Sequence, residues 1–277
     1  MKIPSKYQKL AATAITLCLA AMITIVLGQG FQDSIPEVVW TMVNVNHAEQ
    51  QGDAHLIQVK QGKTVLIDAG YLQPAEQQLV PFLQNHNINH LDLVFVSHAH
   101  RDHYQGITAI INAGITIKEV YFNIPDKTIC DREIPWGCNY QEVLTYRKML
   151  KERQVEVKSA QAGQAFDLGH DTVLKILYAF NGIQTPVGTT DINDMSLIMR
   201  LEHGQHKHLF TGDLNRAIGG YLADHPQEIA ADVLKMPHHG TEGVAPNQFF
   251  EQVGAKYALV PSPSGLWCSD RSSRIRT

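Results

Sequence analysis

The chain has 277 residues, of which 44% are apolar and 18% are charged, so it can bury the core of one large α/β domain or two small ones. Its formal net charge is −4, which excludes a protein that binds nucleic acid through a global basic field and leaves only a local basic strip for that purpose.

The first 30 residues have the pattern of an export segment. Lys2, Lys6 and Lys9 precede residues 10–28, which contain no charged side chain. A positive segment before an apolar run is typical of a signal peptide, and the small residues of GQG at 28–30 suit a cleavage site. Because the run is also nearly long enough to span a bilayer, an uncleaved anchor in the inner membrane is the alternative. Either form predicts an exported, extracytoplasmic protein.

Residues 37–261 alternate between strand and helix patterns without a linker, which predicts one domain followed by a tail at 262–277. Apolar or alternating runs predict strands at 38–46, 54–60, 64–70, 91–98, 118–124, 155–160, 172–180, 195–202, 207–213, 231–240 and 256–262. Helical periodicity predicts helices at 73–87, 104–114, 140–154, 214–225 and 246–254. This interleaving predicts two sheets sandwiched by helices. The tail ends without a terminal element, so we expect the sequence to be truncated there.

Cys130 and Cys138 flank a short loop in a chain that is expected to be exported. Exported proteins keep their disulfides, so a bridge across this loop and a pair of free thiols are both consistent with the sequence. Cys268 is left over in the bridged alternative. No cysteine pair has the spacing of a zinc finger, so a metal site must depend on other ligands.

The densest group of chemically active side chains follows the predicted strand at 91–98. His98, His100, Asp102 and His103 occupy positions i, i+2, i+4 and i+5 of the sequence HAHRDH. Alternation along an extended chain turns the first two the same way, and a turn brings the other two beside them. Imidazole and carboxylate ligands suit Zn²⁺ and also Mn²⁺ or Fe²⁺. The spacing therefore predicts a metal site rather than a surface loop that happens to be rich in histidine.

Two later segments place further ligand types after predicted strands. Asp213 follows LFTG, in which Gly212 leaves room for a close approach, and His238 and His239 follow KMP. Each alone is weak, because an aspartate after a strand is often a helix cap and a histidine pair is often on the surface. Together they would supply a bridging carboxylate and a closing imidazole to a site assembled from three strand ends.

The sequences IDAG, SHAHRDH, TGD and PHHG, in this order, resemble those of metallo-β-lactamase-fold hydrolases over about residues 37–261. Within that superfamily, QGDAHLIQVKQGKTVLIDAG, NDMSLIMRL, LFTGDL and VLKMPHHG are most similar to the hydrolase domain of ComEC-type DNA-uptake competence proteins. The resemblance implies a four-layer αββα sandwich of the metallo-β-lactamase type.

The resemblance also implies two bound divalent ions, Zn²⁺ or Mn²⁺. The implied metal ligands are His98, His100, Asp102, His103, Asp213 and His238. His98 and His100 would bind the first ion and Asp213 would bridge both, while the other three would bind the second. Asp68 in IDAG would orient the ligands from behind, unless it only forms a turn. His239 would bind substrate or support its neighbour, and a purely structural role is the alternative.

One departure from the wider superfamily affects the first ion. The histidine that the superfamily has upstream of the bridging aspartate is replaced here by Asn193 and Asp194, as in the competence-type branch. The first ion therefore lacks one strong ligand, for which Asp194 is the candidate substitute.

These residues predict a hydrolase in which two ions lower the pKa of a shared water. Asp213 would hold the ions together, and Asp102 would orient the water or move its proton. The competence-type resemblance implies a phosphodiester substrate outside the cytoplasm, either single-stranded DNA or a small diester. The membrane is a partner if the N-terminal segment is retained. Candidates for a local basic rim are Lys235, Arg271, Arg274 and Arg276.

Two other functions remain open from the sequence. One is hydrolysis of a small ester, lactone or β-lactam, and the missing histidine counts against β-lactams. The other is a non-catalytic, membrane-tethered module that only binds metal, and the intact ligand set counts against it.

Overall fold

The computed structural model describes residues 37–46, 50–133, 137–180, 185–188, 191–241 and 243–276. The predicted signal peptide or anchor at residues 1–30 lies outside these ranges, so its helix stays a prediction. Within the described ranges, no helix combines the length and the apolar character needed to cross a bilayer.

The described residues form two six-stranded sheets, each of mixed direction. The first sheet has its strands in chain order: β1 (Val38–Met42), β2 (His55–Val59), β3 (Thr64–Ile67), β4 (His90–Val96), β5 (Thr116–Phe122) and β6 (Glu156–Lys158). Strands β1 to β3 pair antiparallel, and β3 to β6 pair parallel through helical crossovers.

The second sheet also has its strands in chain order, from β7 at one edge to β12 at the other. Its strands are β7 (Ala165–Gly169), β8 (Thr172–Tyr178), β9 (Ile198–His203), β10 (His206–Phe210), β11 (Val233–Lys235) and β12 (Tyr257–Leu259). Strands β7 to β10 pair antiparallel, and β10 to β12 pair parallel.

Short helices connect the strands. The α-helices are α1 (Leu72–Pro74), α2 (Val80–Asn85), α3 (Arg101–Tyr104), α4 (Gly106–Asn112), α5 (Lys127–Cys130), α6 (Tyr140–Glu152), α7 (Arg216–Ala223), α8 (Pro226–Ile229), α9 (Asn247–Val253), α10 (Ser264–Trp267) and α11 (Ser273–Arg276). A π-helical turn covers Ala75–Leu79, and 3₁₀ turns cover Asp131–Glu133, Asn193–Met195, Pro237–Gly240 and Asp270–Ser272.

Strand β4 shows how the layers pack. Leu93 and Phe95 join a cluster with Phe166 of the second sheet, whereas Val94 packs into a separate cluster with helix residues such as Leu83. Side chains of a strand alternate between its two faces, so one face of β4 meets the other sheet and the opposite face meets helices. Each fully buried side chain of this size contributes about 1.5–3 kcal/mol.

The predicted arrangement of two sheets between helices is confirmed. The boundaries differ in places. The predicted helix at 73–87 is divided into α1, a π-helical turn and α2, with Pro81 near the start of α2, directly after the π-helical turn. Proline lacks the N–H of a regular helical hydrogen bond, and the α-helical pattern is interrupted there. Strand β7 was not predicted, because the sequence AFDLG is short and ends in glycine.

Two features outside the sheets are defined by covalent or polar contacts. Cys130 and Cys138 form a disulfide, which decides between the two alternatives for this loop, and Cys268 is an exposed free thiol. In the tail, the Arg274 guanidinium donates to the carbonyl oxygens of Val244 (2.8 Å) and Ala245 (2.7 Å). The described part of the tail is therefore attached to the domain.

Candidate metal centre

The predicted ligands meet because four strands end at one edge of the sandwich. Strands β3 and β4 run parallel and end at Ile67 and Val96, and β10 and β11 run parallel and end at Phe210 and Lys235. Polar side chains that follow each of these strands therefore lie at the same edge. Antiparallel β2 begins at this edge, which adds Asp53 to it.

The HAHRDH segment changes conformation in its middle. His100 is extended, with φ −87° and ψ 147°, and helix α3 begins at the next residue. Asp102 and His103 therefore lie in the first turn of a helix, and the predicted turn is confirmed in this form. All four predicted ligands of this segment are buried.

Asp213 reaches the centre because of Gly212, whose φ is +48°. A Cβ atom at Gly212 would lie 2.6 Å from Ser196 Oγ, so only glycine fits this position. The same Ser196 hydroxyl accepts a hydrogen bond from the Asp213 N–H at 2.9 Å. The turn after β10 is thus held in one conformation, and it aims the Asp213 carboxylate at the histidines.

The structure brings together a cluster of four buried ligand side chains, Asp102, His103, Asp213 and His239, which we call the four-residue cluster. Asp213 Oδ2 lies 3.3 Å from His103 Nε2 and 3.2 Å from His239 Nε2. His239 Nε2 also lies 3.5 Å from Asp102 Oδ2. His98 stands beside the cluster, with Nε2 3.9 Å from Asp213 Oδ2.

This cluster contains His239, whereas the sequence analysis expected His238. Both residues have positive φ values, +47° for His238 and +52° for His239, so the chain turns sharply here and the strand alternation no longer applies. The His239 side chain is buried in the cluster, and His238 lines the adjacent cleft. His238 Nδ1 donates to Asn215 Oδ1 at 2.8 Å, and Asn215 Nδ2 donates to Asp191 Oδ2 at 3.0 Å. His238 Nε2 therefore keeps its lone pair.

The donor atoms of the centre fit a divalent ion. The Nε2 atoms of His98, His103 and His239 and the Oδ1 atom of Asp213 are buried, and none has a hydrogen bond to any described residue. The short contacts to Asp213 Oδ2 do not satisfy them, because they lack hydrogen-bond geometry. Buried polar atoms are costly without a partner. Nitrogen and carboxylate donors of this kind are the ligands of Zn²⁺ and Mn²⁺.

The ligands are oriented from behind. The His103 Nδ1–H donates to Asp68 Oδ2 at 2.9 Å, and Asp68 Oδ1 accepts the Ser97 N–H at 2.7 Å. The His239 Nδ1–H donates to the Pro261 carbonyl at 2.9 Å. Each bond fixes a ring so that Nε2 faces the cluster, as in known metal sites. Asp68, at φ +59°, lies where the resemblance implied an orienting residue.

Burial and neighbouring charges shift the pKa values of His239 and His98 in opposite directions. Burial disfavours imidazolium at His239, but the Asp213 and Asp53 carboxylates outweigh it and hold its pKa well above the usual value. Burial and the neighbouring His103 lower the pKa of His98 well below its usual value, so His98 is neutral. Because the raised pKa of His239 favours its protonated form, protons and a divalent ion compete for the four-residue cluster. The neutral His98 needs to lose no proton before it binds a metal.

A buried ion pair that the sequence analysis missed lies behind the cluster. Lys235 is 1% exposed, so it is not part of a basic rim, and its ammonium contacts the Asp53 carboxylate. Lys235 Nζ also donates to the Gly212 carbonyl at 2.7 Å and lies 3.7 Å from Asp213 Oδ1. Burial lowers the pKa of Lys235, but the two carboxylates outweigh it and raise the pKa. A lysine within the apolar run DVLKM was the available signal.

Asp194 does not face the cluster. Its carboxylate accepts the N–H groups of Asn215 (2.8 Å) and Ala217 (3.1 Å), at the start of helix α7. Burial, with a further effect of the Asp191 carboxylate, raises the pKa of Asp194 to about 6. The structure thus gives Asp194 the role of a helix cap, not that of the missing ligand.

An open cleft of about 450 Å³ gives access to the centre. It is lined by Gln51, His100, Asp102, Glu133, Asp191, Asn193, Asp213, His238 and Arg271. Arg271 is the one residue of the predicted basic rim that lines this cleft among the described residues. Arg276 instead donates to the Ser269 carbonyl at 2.7 Å and also contacts the Trp267 carbonyl.

The fold, the donor set and the cleft define a metal-dependent hydrolase of the αββα class. A family model described as "Beta-lactamase superfamily domain" matches residues 63–237, and the chain belongs to this superfamily. Members of the superfamily are hydrolases, so the predicted enzyme class is confirmed.

Individual relatives agree with this assignment. ComE operon protein 3 of Bacillus subtilis (strain 168) is 26% identical over 185 residues, which cover 67% of this chain and 22% of the relative. Endoribonuclease YSH1 of Saccharomyces cerevisiae is 26% identical over 184 residues, 61% of this chain and 22% of the relative. The chain thus matches less than a quarter of the length of either relative.

A solved structure supports the fold. The metallo-beta-lactamase fold protein YhfI from Bacillus subtilis aligns with a TM-score of 0.50 and 16% identity, over 80% of this chain and 84% of that one.

Proposed function

We propose that the protein hydrolyses phosphodiester bonds of single-stranded nucleic acid or small diesters, outside the cytoplasm. The observation that carries the proposal is the composition of the cleft, in which Asp102 and Asp213 of the four-residue cluster and Arg271 line one opening. A diester needs both features, because a divalent centre acts on its phosphorus and a guanidinium binds its charged oxygens.

The side chains of the centre have separate tasks. The four-residue cluster would hold one ion, and His98 and His100 would contribute to a second, with Asp213 between the two groups. Two such ions would supply a water of lowered pKa and would neutralise charge on the scissile group. Asp102 belongs to this cluster and lines the cleft, so it would be placed to orient that water or to accept its proton. His238 lines the cleft with a free lone pair on Nε2, so it can bind an ion or accept a substrate hydrogen bond.

Three further observations support the substrate and the location. YSH1 is named as an endoribonuclease, and the resemblance to competence-type proteins implies a nucleic acid. A small chain with a net charge of −4 needs a local cation to bind a polyanion, and Arg271 is such a cation. The Cys130–Cys138 disulfide supports an oxidising, extracytoplasmic compartment, either with the membrane anchor retained or after its removal.

The proposal is tested with the purified full chain, loaded with Zn²⁺ or Mn²⁺ and assayed on bis-p-nitrophenyl phosphate, single-stranded DNA, single-stranded RNA and nitrocefin. We expect diester cleavage that depends on the added metal and that Asp213→Ala reduces by more than about 100-fold. Turnover of nitrocefin without diester cleavage would move the protein to the small-molecule hydrolases. Bound metal without any turnover would leave a binding module.

Arg271→Ala tests the substrate charge. It should raise KM for single-stranded DNA by about tenfold, because a charge-assisted hydrogen bond is lost, and leave kcat nearly unchanged. Arg276→Ala is the matched control, since that arginine lies in the same tail and bonds the Ser269 carbonyl instead. An equal effect of the two substitutions, or none from Arg271→Ala, contradicts a phosphate-binding role.

A further inference from the structure

The ion that His98 and His100 would hold has one protein donor fewer in this chain than the wider superfamily provides. The superfamily's third histidine is absent, and the candidate substitute Asp194 is engaged as the cap of helix α7. His98 and His100 stand side by side, with ring centroids 4.8 Å apart. His98 Nε2 is buried without a hydrogen bond to any described residue, and its Nδ1 lies 3.0 Å from Ser97 Oγ. A further donor for the ion that His98 and His100 would hold should therefore lie on the side of this pair that faces the cleft.

Glu133 lines the same cleft as His100, and hydrogen bonds fix both its backbone and its carboxylate. The residue ends the 3₁₀ turn Asp131–Glu133, inside the loop that the Cys130–Cys138 disulfide closes. Its carbonyl accepts the N–H of Gly137 at 2.9 Å. Its Oε1 atom accepts the Ile192 N–H at 2.9 Å, so the carboxylate itself is fixed.

The second carboxylate oxygen meets His100 at the nitrogen that a metal would use. Glu133 Oε2 accepts a hydrogen bond from His100 Nε2 at 2.9 Å, and the two side chains are 15% and 8% exposed. In His103 and His239, Nε2 faces the ligands while Nδ1 is bonded from behind. Two atoms that bind one Zn²⁺ at about 2.0–2.2 Å each stand roughly 3–3.5 Å apart. This hydrogen bond holds the two donor atoms at nearly the separation of two ligands of one ion, and a bound ion would replace the proton between them.

We propose that Glu133 is a ligand of the first ion, together with His98 and His100, and replaces the third histidine of the wider superfamily. The proposal rests on the two-ion function proposed above. It explains why the Ile192 N–H holds Glu133 Oε1 while Glu133 Oε2 contacts His100. The 3₁₀ turn Asp131–Glu133 is then a part of the metal site.

The test is the number of ions per chain. The purified full chain and its variants are dialysed against Zn²⁺ and then against metal-free buffer, and bound zinc is measured by mass spectrometry. We expect two ions in the wild type and one in Glu133→Ala, with the retained ion in the four-residue cluster. Asp191→Asn is the matched control, because it removes a carboxylate of the same cleft that bonds Asn215, and it should keep two ions.

A second variant guards against a loop that is merely disturbed. Glu133→His restores an imidazole donor, so it should again bind two ions, and the visible absorption of its Co²⁺ form should shift from that of the wild type. Two ions in Glu133→Ala, or one ion in the wild type, overturn the assignment of Glu133 and leave the hydrolase proposal standing. A wild type that binds no zinc overturns the proposed function itself.

Discussion

The two halves of the centre are built differently. The four-residue cluster consists of side chains that follow strand ends, and each of its histidines is oriented by a fixed acceptor, Asp68 or the Pro261 carbonyl. The other half, which we call the loop side, consists of His98, His100 and Glu133, and it depends on a loop closed by a disulfide. On the two-ion proposal, the difference teaches that one ion site would be part of the rigid sandwich, whereas the other would depend on the turn that carries Glu133.

The largest expected effect comes from breaking the support of the four-residue cluster. Lys235→Met leaves Asp53 buried without its cation and removes the contact to the Gly212 carbonyl. We expect the free energy of unfolding to fall by about 3–5 kcal/mol, measured by urea denaturation. The double variant Lys235→Met with Asp53→Asn should recover part of this loss, because no unpaired charge remains. Additive losses would show that the two residues do not act as a pair.

A smaller effect is expected when the loop side is broken. Replacing Cys130 and Cys138 by serine opens the loop, and the free energy of unfolding should fall by roughly 2–3 kcal/mol, the entropy of a loop of this length. The variant should lose zinc from one site and keep it in the other. Cys268→Ser is the control, since this exposed thiol lies outside both halves. Loss of both ions together would contradict the independence of the two halves.

The smallest expected effect comes from changing Asp68, which orients His103. Asp68→Asn keeps an oxygen that can accept the Ser97 N–H but weakens the charge-assisted bond to His103. The affinity for one ion should fall about 10–100-fold, as for other residues that orient a metal-binding histidine. Calorimetric titration with Zn²⁺ measures it, with the melting temperature as the check on folding. An unchanged affinity at both sites would remove Asp68 from the metal centre.

The features that sequence predicts well are those that strand geometry determines. Alternation and apolar runs predict the two sheets, and a ligand directly after a strand, such as Asp213, necessarily lies at the sheet edge. Hydrophobic patterning is sufficient there because burial on one face decides the orientation of every side chain.

The positions of four residues in or beside the centre depend on features that strand alternation does not determine. The positive φ values at His238 and His239 reverse the expected order of the pair. Glu133 contacts His100, 33 positions away in the chain, from the 3₁₀ turn that follows the disulfide-bonded Cys130. Lys235 occupies a strand position that normally carries an apolar residue, and its buried ammonium is compensated by the Asp53 carboxylate and the Gly212 carbonyl.

The central claim is that side chains from separate strand ends surround a divalent ion. Anomalous diffraction from crystals of the full chain grown with Zn²⁺ tests it directly. The account predicts one peak within ligand distance of His103, Asp213 and His239, and a second peak beside His98 and His100. Zinc bound only at other positions, with the four-residue cluster empty in the same crystals, would contradict it.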